Sequence, residues 1–378
     1  MRAMHLATMA GAAIWVHAAA AQSPMLLRSG VASNPTPIQH IIVIMQENRS
    51  FDSYFGTYPG ANGIPAGVCV PLAVTNPSAG CVVPFHNPLD INQGGPHGAN
   101  NATGDIDDGV ISQKMDGFVT QQIAATKKNR PSLQVTEGAL DHDVMGYHTA
   151  AEIPNYWTYA QNFVLQDNLF ASERGWSLPN HLYLASEWSA ICKDWTNAMT
   201  CASSDGTGTA SFTTPNGLPW VNLFQLFDQY GVSWKYYLGQ GTEPDCEDDA
   251  MTCAPVKMIG KSPSMWNAPP WFHYVKQQGP AYLDQHNPSL DQFLVDVGKG
   301  SLPQVSWLVP SGDYSEHPAS GITVGMEYVT SAVNAVMQSP YWANTVIFIS
   351  WDDWGGFYDH VPPPSVTAVA AGENLTGY

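Results

Sequence analysis

The chain has 378 residues, of which 14 are Lys or Arg and 32 are Asp or Glu, so its formal net charge at pH 7 is -18. This excess of negative charge argues against nucleic-acid binding, because neutralising backbone phosphates requires a surplus of basic side chains. Charged residues make up 12% of the chain and hydrophobic residues 44%, which excludes extended disorder and predicts a packed core. No internal run is apolar enough to span a bilayer, so we expect no transmembrane anchor.

The beginning of the chain has the pattern of an export signal. An apolar stretch follows a basic start, and the small residues Ala19 and Ala21 suit cleavage near Ala21. Six cysteines agree with export, since close pairs are typical of disulfides in an oxidising compartment, although other pairings are open. The close pairs are Cys69 with Cys81, Cys192 with Cys201, and Cys246 with Cys253. We expect a periplasmic or secreted protein with a signal peptide at 1–21 and a single domain at 22–378.

Predicted strands and helices alternate along the chain. The first strand, at 38–45, is a mostly apolar and β-branched run that is typical of a strand buried on both faces. Residues 58–109 are rich in Gly, Pro and Asn and are predicted to form a long ordered loop. Further strands are predicted at 163–165, 232–238, 304–309 and 345–350, helices at 222–229, 290–297 and 326–337, and surface excursions at 190–217 and 241–253. This order predicts an α/β fold with a central, largely parallel sheet flanked by helices.

Polar residues directly follow the first and last predicted strands. Glu47 and Asn48 follow the first strand, and Asp352 and Asp353 follow the last. Ligands of open α/β sheets collect at the carboxyl ends of strands, so both pairs are expected at one edge. Their carboxylates and amide carbonyl suit one divalent cation such as Ca, Mn or Mg, with Fe and Zn also open. Turn residues and helix caps are the alternative for either pair taken alone.

A third polar group surrounds Ser177. Pro179 suits the first turn of a helix, which would put Ser177 at the helix N-terminus, where free N–H groups and the helix dipole favour an anion. Beside a cation, the hydroxyl of Ser177 could attack phosphorus as an alkoxide. An ordinary N-cap serine is the alternative.

Three histidines are candidates for acid/base catalysis or phosphate contacts. His317 follows the strand predicted at 304–309, His97 lies in the Gly-rich loop, and His360 follows the acidic pair. The alternative for each is a surface or packing histidine. The chain has neither a G-x-S-x-G nucleophile elbow nor a G-x-G-x-x-G fingerprint after a strand, which disfavours an α/β-hydrolase and a dinucleotide-binding enzyme.

Six segments of the chain, taken together, resemble the bacterial phosphoesterase family of acid phosphatases and non-haemolytic-type phospholipases C. They span about residues 38–364 and read IQHIIVIMQENRSFDSYFG, KMDGFV, MGYHTAAEIPNYWTYAQNFVLQDNLFAS, GWSLPNHLYLASEWS, QVSWLVPSGDYSEHP and FISWDDWGGFYDHVPPP. The resemblance implies a core similar to that of alkaline phosphatase with long loop excursions, one divalent metal, and a Ser or Thr nucleophile that is transiently phosphorylated.

The resemblance also implies roles for individual residues. The metal ligands would be Glu47, Asn48, Asp352 and Asp353, together with the nucleophile Ser177. His317 and His97 would contact the phosphate or the leaving group, and His273 would contact the substrate. Asn48 and His360 are further candidates for substrate contacts from their positions after the two strands.

Three features depart from the family pattern. The loop around His97 is rich in Gly and Asn rather than aromatic, and many phospholipase-like members carry Asp-Glu where this chain has Asp352-Asp353. Family members usually continue into a further strand and a closing helix. We therefore expect the chain to be incomplete at its C-terminus.

Together, these expectations predict an exported, metal-dependent phosphoesterase that acts through a phosphoserine intermediate. A serine nucleophile, a Sec-like signal and no added lipid-binding domain favour an acid phosphatase that acts on small phosphate monoesters. The alternative is a phospholipase C that acts on phosphatidylcholine-type lipids. An inactive protein that binds a metal and an anion is an alternative from another class.

Overall fold

The computed structural model describes residues 37–106, 114–129, 142–206, 208–243, 254–364, 366–367 and 376–377. The predicted signal peptide and the predicted pair of Cys246 with Cys253 lie outside these residues. The other two predicted pairs are disulfides, Cys69–Cys81 and Cys192–Cys201. Within the described ranges, no helix has the length and apolar character needed to cross a membrane.

Strands and helices alternate over much of the described chain. The strands are β1 (His40–Gln46), β2 (Val70–Pro71), β3 (Cys81–Val82), β4 (Phe85–His86), β5 (Gly146–Tyr147), β6 (Ala190–Cys192), β7 (Cys201–Ser203), β8 (Trp234–Leu238), β9 (Thr242–Glu243), β10 (Val256–Lys257), β11 (Val305–Val309), β12 (Thr345–Trp351), β13 (Val366–Thr367) and β14 (Thr376–Gly377). The helices are α1 (Phe51–Phe55), α2 (Ala99–Ile106), α3 (Phe118–Asn129), α4 (Pro154–Asn162), α5 (Ser177–Ser186), α6 (Thr209–Phe212), α7 (Leu223–Tyr230), α8 (His273–Gln278), α9 (Pro280–His286), α10 (Asp291–Lys299) and α11 (Ile322–Met337).

The central sheet has the strand order β12-β1-β11-β8, and all of its neighbouring strands are parallel. This arrangement confirms the predicted α/β fold. In the register of β1 and β12, Gln46 pairs with Trp351, and the N–H of Asp352 donates to the carbonyl of Gln46 at 3.0 Å. The residues that follow these two strands therefore lie side by side at one edge of the sheet.

Apolar side chains cover both faces of the sheet. Trp307 and Tyr236 belong to a core cluster with residues of α5, α7 and α8. The next residues along the same strands, Leu308 and Tyr237, belong to a second cluster with residues of α10 and α11. Because successive side chains of a strand point to opposite faces, burial of both faces requires continuous apolar runs. Such a run predicted β1, whereas β8 and β11 each include a polar residue, Lys235 and Ser306.

The strand predicted at 163–165 is wrong. Helix α4 ends at Asn162, and Phe163 is its C-cap. Phe163 is 51% exposed and Val164 is 83% exposed, and Leu165 alone of the three packs, partly buried, against a core cluster. Three apolar residues after a helix are too few to distinguish a strand from a helix end.

The long loop predicted at 58–109 contains regular structure. Strands β2 and β3 form a small antiparallel pair, β4 pairs with β5, and α2 occupies the end of the segment. The predicted helices are confirmed as α7, α10 and α11, and α11 begins earlier than expected, at Ile322.

The turn after β12 requires glycine at Gly355, and its substitution tests how closely the turn approaches β1. Gly355 has a φ of 60°, and a Cβ atom there would lie 2.6 Å from the backbone oxygen of Asn48. We expect Gly355→Ala to lower the free energy of unfolding by about 1–3 kcal/mol, as measured by equilibrium urea unfolding. Gly298→Ala is the matched control, because Gly298 is exposed in α10 with no heavy atom within 4 Å of the added Cβ. Equal effects of the two substitutions would contradict this account of the turn.

Candidate active site

The turn that follows β1 binds the turn that follows β12 directly. Asn48 has a φ of 58°, a left-handed conformation that asparagine tolerates better than most residues. Its backbone N–H donates to Oδ1 of Asp352 at 3.0 Å, and its side-chain amide donates to Oδ1 of Asp353 at 2.8 Å. Glu47, Asn48 and both aspartates are buried. The structure thus brings together the two polar pairs that the sequence placed at one edge.

Helix α5 begins at Ser177, as Pro179 predicted. The side chain of Asn180 donates to the carbonyl of Gly175 at 3.1 Å, which holds the preceding loop against the first turn of the helix. The hydroxyl of Ser177 donates to Oε2 of Glu47 at 3.1 Å. The candidate nucleophile on α5 therefore contacts the first candidate metal ligand after β1.

His181 is a buried member of this site to which the sequence analysis assigned no role. Its Nε2 lies 3.0 Å from Oε1 of Glu47. Ligand atoms of Glu47, His181 and Asp352 all lie within 4.8 Å of one another, and the three residues are buried. The available signal was its position one helical turn after Ser177, which places both side chains on the same face of α5.

Oδ1 of Asn48 and Oδ2 of Asp352 are buried oxygens of this site that have no hydrogen-bond partner. Buried polar atoms without a partner are costly and rare, and a cation bound between such oxygens would satisfy them. These oxygens and the carboxylate of Glu47 therefore form a donor set that fits a divalent metal ion.

His317 and His97 lie next to each other, with ring centroids 5.9 Å apart in an edge-to-face arrangement. Nδ1 of His317 lies 3.0 Å from the carbonyl oxygen of Pro318, and Nδ1 of His97 lies 3.0 Å from that of Gly95. A carbonyl oxygen can only accept, so Nδ1 carries a proton in both rings. When either ring is neutral, its Nε2 can act only as a hydrogen-bond acceptor.

Backbone hydrogen bonds attach the loops of both histidines to the turns at the sheet edge. The N–H of Glu47 donates to the carbonyl of Ser315 at 2.9 Å, and the N–H of Gly95 donates to the carbonyl of Gly355 at 2.9 Å. The two histidines, Ser177 and the acidic residues are therefore held by one connected set of turns.

Glu316 is a second buried side chain to which the sequence analysis assigned no role. Its Oε1 accepts hydrogen bonds from the amide of Gln46 at 3.1 Å and from the hydroxyl of Tyr156. Its Oε2 accepts from the hydroxyl of Tyr54 at 2.7 Å and from Nε1 of Trp351 at 3.1 Å. Burial raises the pKa of Glu316, and these donors oppose the rise. One carboxylate thus links β1, α1, α4 and β12 to the loop that carries His317.

The donors around Glu316 provide a test of this link. In Glu316→Gln, one acceptor oxygen is replaced by an amide NH₂ group that faces other donors, so we expect the free energy of unfolding to fall by about 2–4 kcal/mol. Glu327→Gln is the matched control, because Glu327 is exposed on α11. Urea unfolding at neutral pH measures both effects, and a Glu316→Gln midpoint equal to that of the control would refute the assigned hydrogen bonds.

His360 and His273 form hydrogen bonds with residues outside the group around Glu47. Nδ1 of His360 lies 2.8 Å from Oδ2 of Asp52, and ligand atoms of His360, Asp52 and Asp359 form a separate group within 4.8 Å. His273 begins α8, and its Nδ1 donates to the carbonyl of Asn216 at 2.7 Å. Substrate contacts by His360 and His273 stay predictions.

The burial of Asp52 next to Asp359 predicts a pH dependence of stability. Burial, together with repulsion from Asp359, raises the pKa of Asp52 to about 7. A carboxyl group whose pKa is higher in the folded than in the unfolded state stabilises the fold below its unfolded pKa, and this contribution is lost as the pH rises through the folded pKa. We therefore expect the wild type to lose stability relative to Asp52→Asn between about pH 5 and about pH 8.

Thermal unfolding at about pH 5 and at about pH 8 measures the difference in stability between the wild type and Asp52→Asn. Asp291→Asn, at an exposed position of α10, is the control. A difference between wild type and Asp52→Asn that does not change with pH, or that changes in the opposite direction, would rule out this titration.

A cavity of about 880 Å³ lies beside the acidic pair. Asp352 and Asp353 line it together with apolar side chains that include Phe348 of β12, Leu169 and Phe170. Ser177 and Glu47 are not part of its lining. The cavity thus provides a largely apolar space that reaches the acidic end of the site.

The chain is similar to several curated proteins that are named phospholipases C. Phospholipase C A of Mycobacterium tuberculosis is 29% identical over 364 residues, which cover 90% of this chain and 62% of the relative. Non-hemolytic phospholipase C of Pseudomonas aeruginosa is 26% identical over 91% of this chain and 46% of the relative. Non-specific phospholipase C1 of Arabidopsis thaliana is 24% identical over 87% of this chain and 54% of the relative.

The chain thus spans less than two thirds of the length of these curated relatives. A model of the Phosphoesterase family matches residues 38–377, which is most of the chain. This match confirms the resemblance found in the sequence. The chain belongs to the phosphoesterase family.

Proposed function

We propose that this protein hydrolyses phosphate esters through a phosphoserine intermediate on Ser177. The observation that carries the proposal is the hydrogen bond from Ser177 Oγ to Glu47 Oε2 at 3.1 Å, at the start of α5 and beside a buried group that fits a metal. Membership of the phosphoesterase family supports it.

Ser177 has the surroundings that a phosphoryl-transfer nucleophile needs. As an acceptor, Glu47 orients Oγ, and the first N–H groups of α5 lack partners within the helix, so they offer positive ends to phosphoryl oxygens. A divalent cation held by Glu47, Asn48, Asp352 and Asp353 would supply positive charge that favours the Ser177 alkoxide and balances the charge of the phosphoryl group.

His317 is the proposed proton donor to the leaving group. Since the carbonyl of Pro318 holds the proton on Nδ1, a charged His317 ring has its second proton on Nε2, from which it can pass to the leaving oxygen. His97, beside it, would donate from Nε2 to a phosphoryl oxygen when its ring is charged, because its Nδ1 proton is directed to the carbonyl of Gly95. Water then attacks the phosphorus of phosphoserine, releases inorganic phosphate or a phosphorylated headgroup, and restores the Ser177 hydroxyl.

Two substrate classes follow from different observations. The sequence favours small phosphate monoesters, and hence an acid phosphatase. The apolar cavity beside Asp352 and Asp353, together with relatives that are named phospholipases C, supports a phospholipase C as the second candidate. Export of the enzyme stays a prediction from residues 1–21.

Hydrolysis of p-nitrophenyl phosphate and release of phosphocholine from phosphatidylcholine test the proposal. We expect Ser177→Ala to lower kcat by at least about a thousandfold on whichever substrate is turned over, because the nucleophile is removed. Ser78→Ala, at an exposed serine, should leave kcat unchanged. A chelator should lower the activity of the wild type, and added divalent cation should restore it.

The outcomes separate the alternatives. Turnover of p-nitrophenyl phosphate alone identifies a phosphomonoesterase, and release of phosphocholine identifies a phospholipase C. Undiminished turnover in Ser177→Ala would overturn the assigned nucleophile. Anion binding without turnover of either ester, in folded wild-type protein, would favour the inactive binding protein.

A further inference from the structure

The two ring nitrogens of His181 have different neighbours. Nε2 lies 3.0 Å from Oε1 of Glu47, and Nδ1 lies 3.3 Å from the hydroxyl oxygen of Tyr236. The side chains of His181 and Glu47 are both fully buried. Water therefore does not compete for either contact.

Tyr236 determines which nitrogen of His181 carries the proton. The hydroxyl of Tyr236 donates its only proton to the carbonyl oxygen of Trp266 at 2.6 Å, so towards His181 it can only accept. Nδ1 of His181 is therefore the donor. In the neutral ring, the lone pair of Nε2 then points towards the carboxylate of Glu47.

A lone pair that faces a carboxylate is repulsive unless a cation or a second proton lies between the two atoms. Metal-binding histidines almost always donate their other ring N–H to a protein acceptor, and the contact with Tyr236 has this form. The nearby Oδ2 of Asp352, which has no hydrogen-bond partner, provides a further oxygen on the same side.

The spacing of the atoms also suits a shared ion. Adjacent ligands of a six-coordinate ion lie about 3 Å apart when the metal–ligand bonds are about 2.1 Å long. His181 Nε2 and Glu47 Oε1 are 3.0 Å apart, and Ser177 Oγ and Glu47 Oε2 are 3.1 Å apart. Because hydrogen bonds have similar lengths, the proton position imposed by Tyr236 is the observation that favours ligation.

We infer that His181 is an additional metal ligand through Nε2, and that the site takes a cation with affinity for imidazole, of the class of Zn²⁺ or Fe²⁺, in preference to Ca²⁺ or Mg²⁺. The inference rests on the metal site of the proposed function and adds a nitrogen donor to its oxygen ligands. Ca²⁺ and Mg²⁺ prefer oxygen ligands alone, whereas imidazole binds Zn²⁺ and Fe²⁺ well.

Calorimetric titration of metal-free protein with Zn²⁺ and with Ca²⁺ tests the inference without reference to activity. The wild type should bind Zn²⁺ more tightly than Ca²⁺, and His181→Ala should weaken Zn²⁺ binding by at least about a hundredfold while changing Ca²⁺ binding by less than about threefold. Tyr236→Phe, which keeps the ring but removes the acceptor of the Nδ1 proton, should weaken Zn²⁺ binding by about 10–100-fold. His86→Ala, at a partly exposed histidine, is the control for adventitious binding.

Asp352→Asn separates this inference from the proposed function. Loss of Zn²⁺ affinity in Asp352→Asn, His181→Ala and Tyr236→Phe supports the inference. Loss in Asp352→Asn alone, with the other two variants folded by circular dichroism and unchanged in Zn²⁺ affinity, overturns ligation by His181 and leaves the metal site in place. Unchanged Zn²⁺ affinity in all three variants overturns both the inference and the proposed metal site.

Discussion

The candidate site depends on the register of β1 against β12. Met45 pairs with Ser350 and Gln46 pairs with Trp351, so both strands end at one level and their next residues meet. A shift by one residue would turn every side chain of a strand to the opposite face. The apolar side chains of β1 pack in different clusters on the two faces of the sheet, which makes such a shift unfavourable. Core packing thereby determines which polar residues meet at the edge.

Burial of several acidic groups at this edge lowers the stability of the fold unless positive charge or hydrogen-bond donors compensate them. Glu47, Asp352, Asp353 and Glu316 are buried together, and Arg49 is a buried cation nearby, which donates to the backbone of Asn48. Each uncompensated buried charge costs several kcal/mol in free energy of folding. Neutral donors surround Glu316, whereas Asp352 keeps an oxygen without a partner. The remaining negative charge is thus concentrated where a cation fits, and the same cation would let a phosphate ester approach an acidic protein.

Sequence patterns predicted the parts of the molecule that local physics determines. All four strands of the central sheet lie where strands were predicted, the first of them from a mostly apolar, β-branched run, and Pro179 indicated that α5 begins at Ser177. Strand ends of a parallel sheet meet at one edge, so the meeting of Glu47 with Asp352 was also predictable. The run at 163–165 failed because its hydrophobicity is not matched by burial.

Local sequence patterns could not predict contacts between residues that are far apart in the chain. His181 meets Glu47 only because α5 docks its first turns against the end of β1, and its spacing from Ser177 indicates a shared helix face but no partner. Glu316 directly precedes His317, which the sequence analysis named as a candidate. The four hydrogen-bond donors of Glu316, however, come from elements that are far apart in the chain. His273 was proposed from family resemblance alone, and it bonds to Asn216.

Gln46 is hydrogen-bonded both to the acidic turn after β12 and to the loop that carries His317. The carbonyl of Gln46 accepts the N–H of Asp352 at 3.0 Å, while its side-chain amide donates to Oε1 of Glu316 and to the carbonyl of Tyr314, both at 3.1 Å. The strand register that positions the proposed acidic ligands therefore also anchors the loop of His317. Because Ser177 is hydrogen-bonded to Glu47, the next residue after Gln46, the proposed nucleophile and the proposed proton donor take their positions from the same strand end. This shared origin couples the position of the loop that carries His317 to the end of β1, so a change in strand register would displace both groups together.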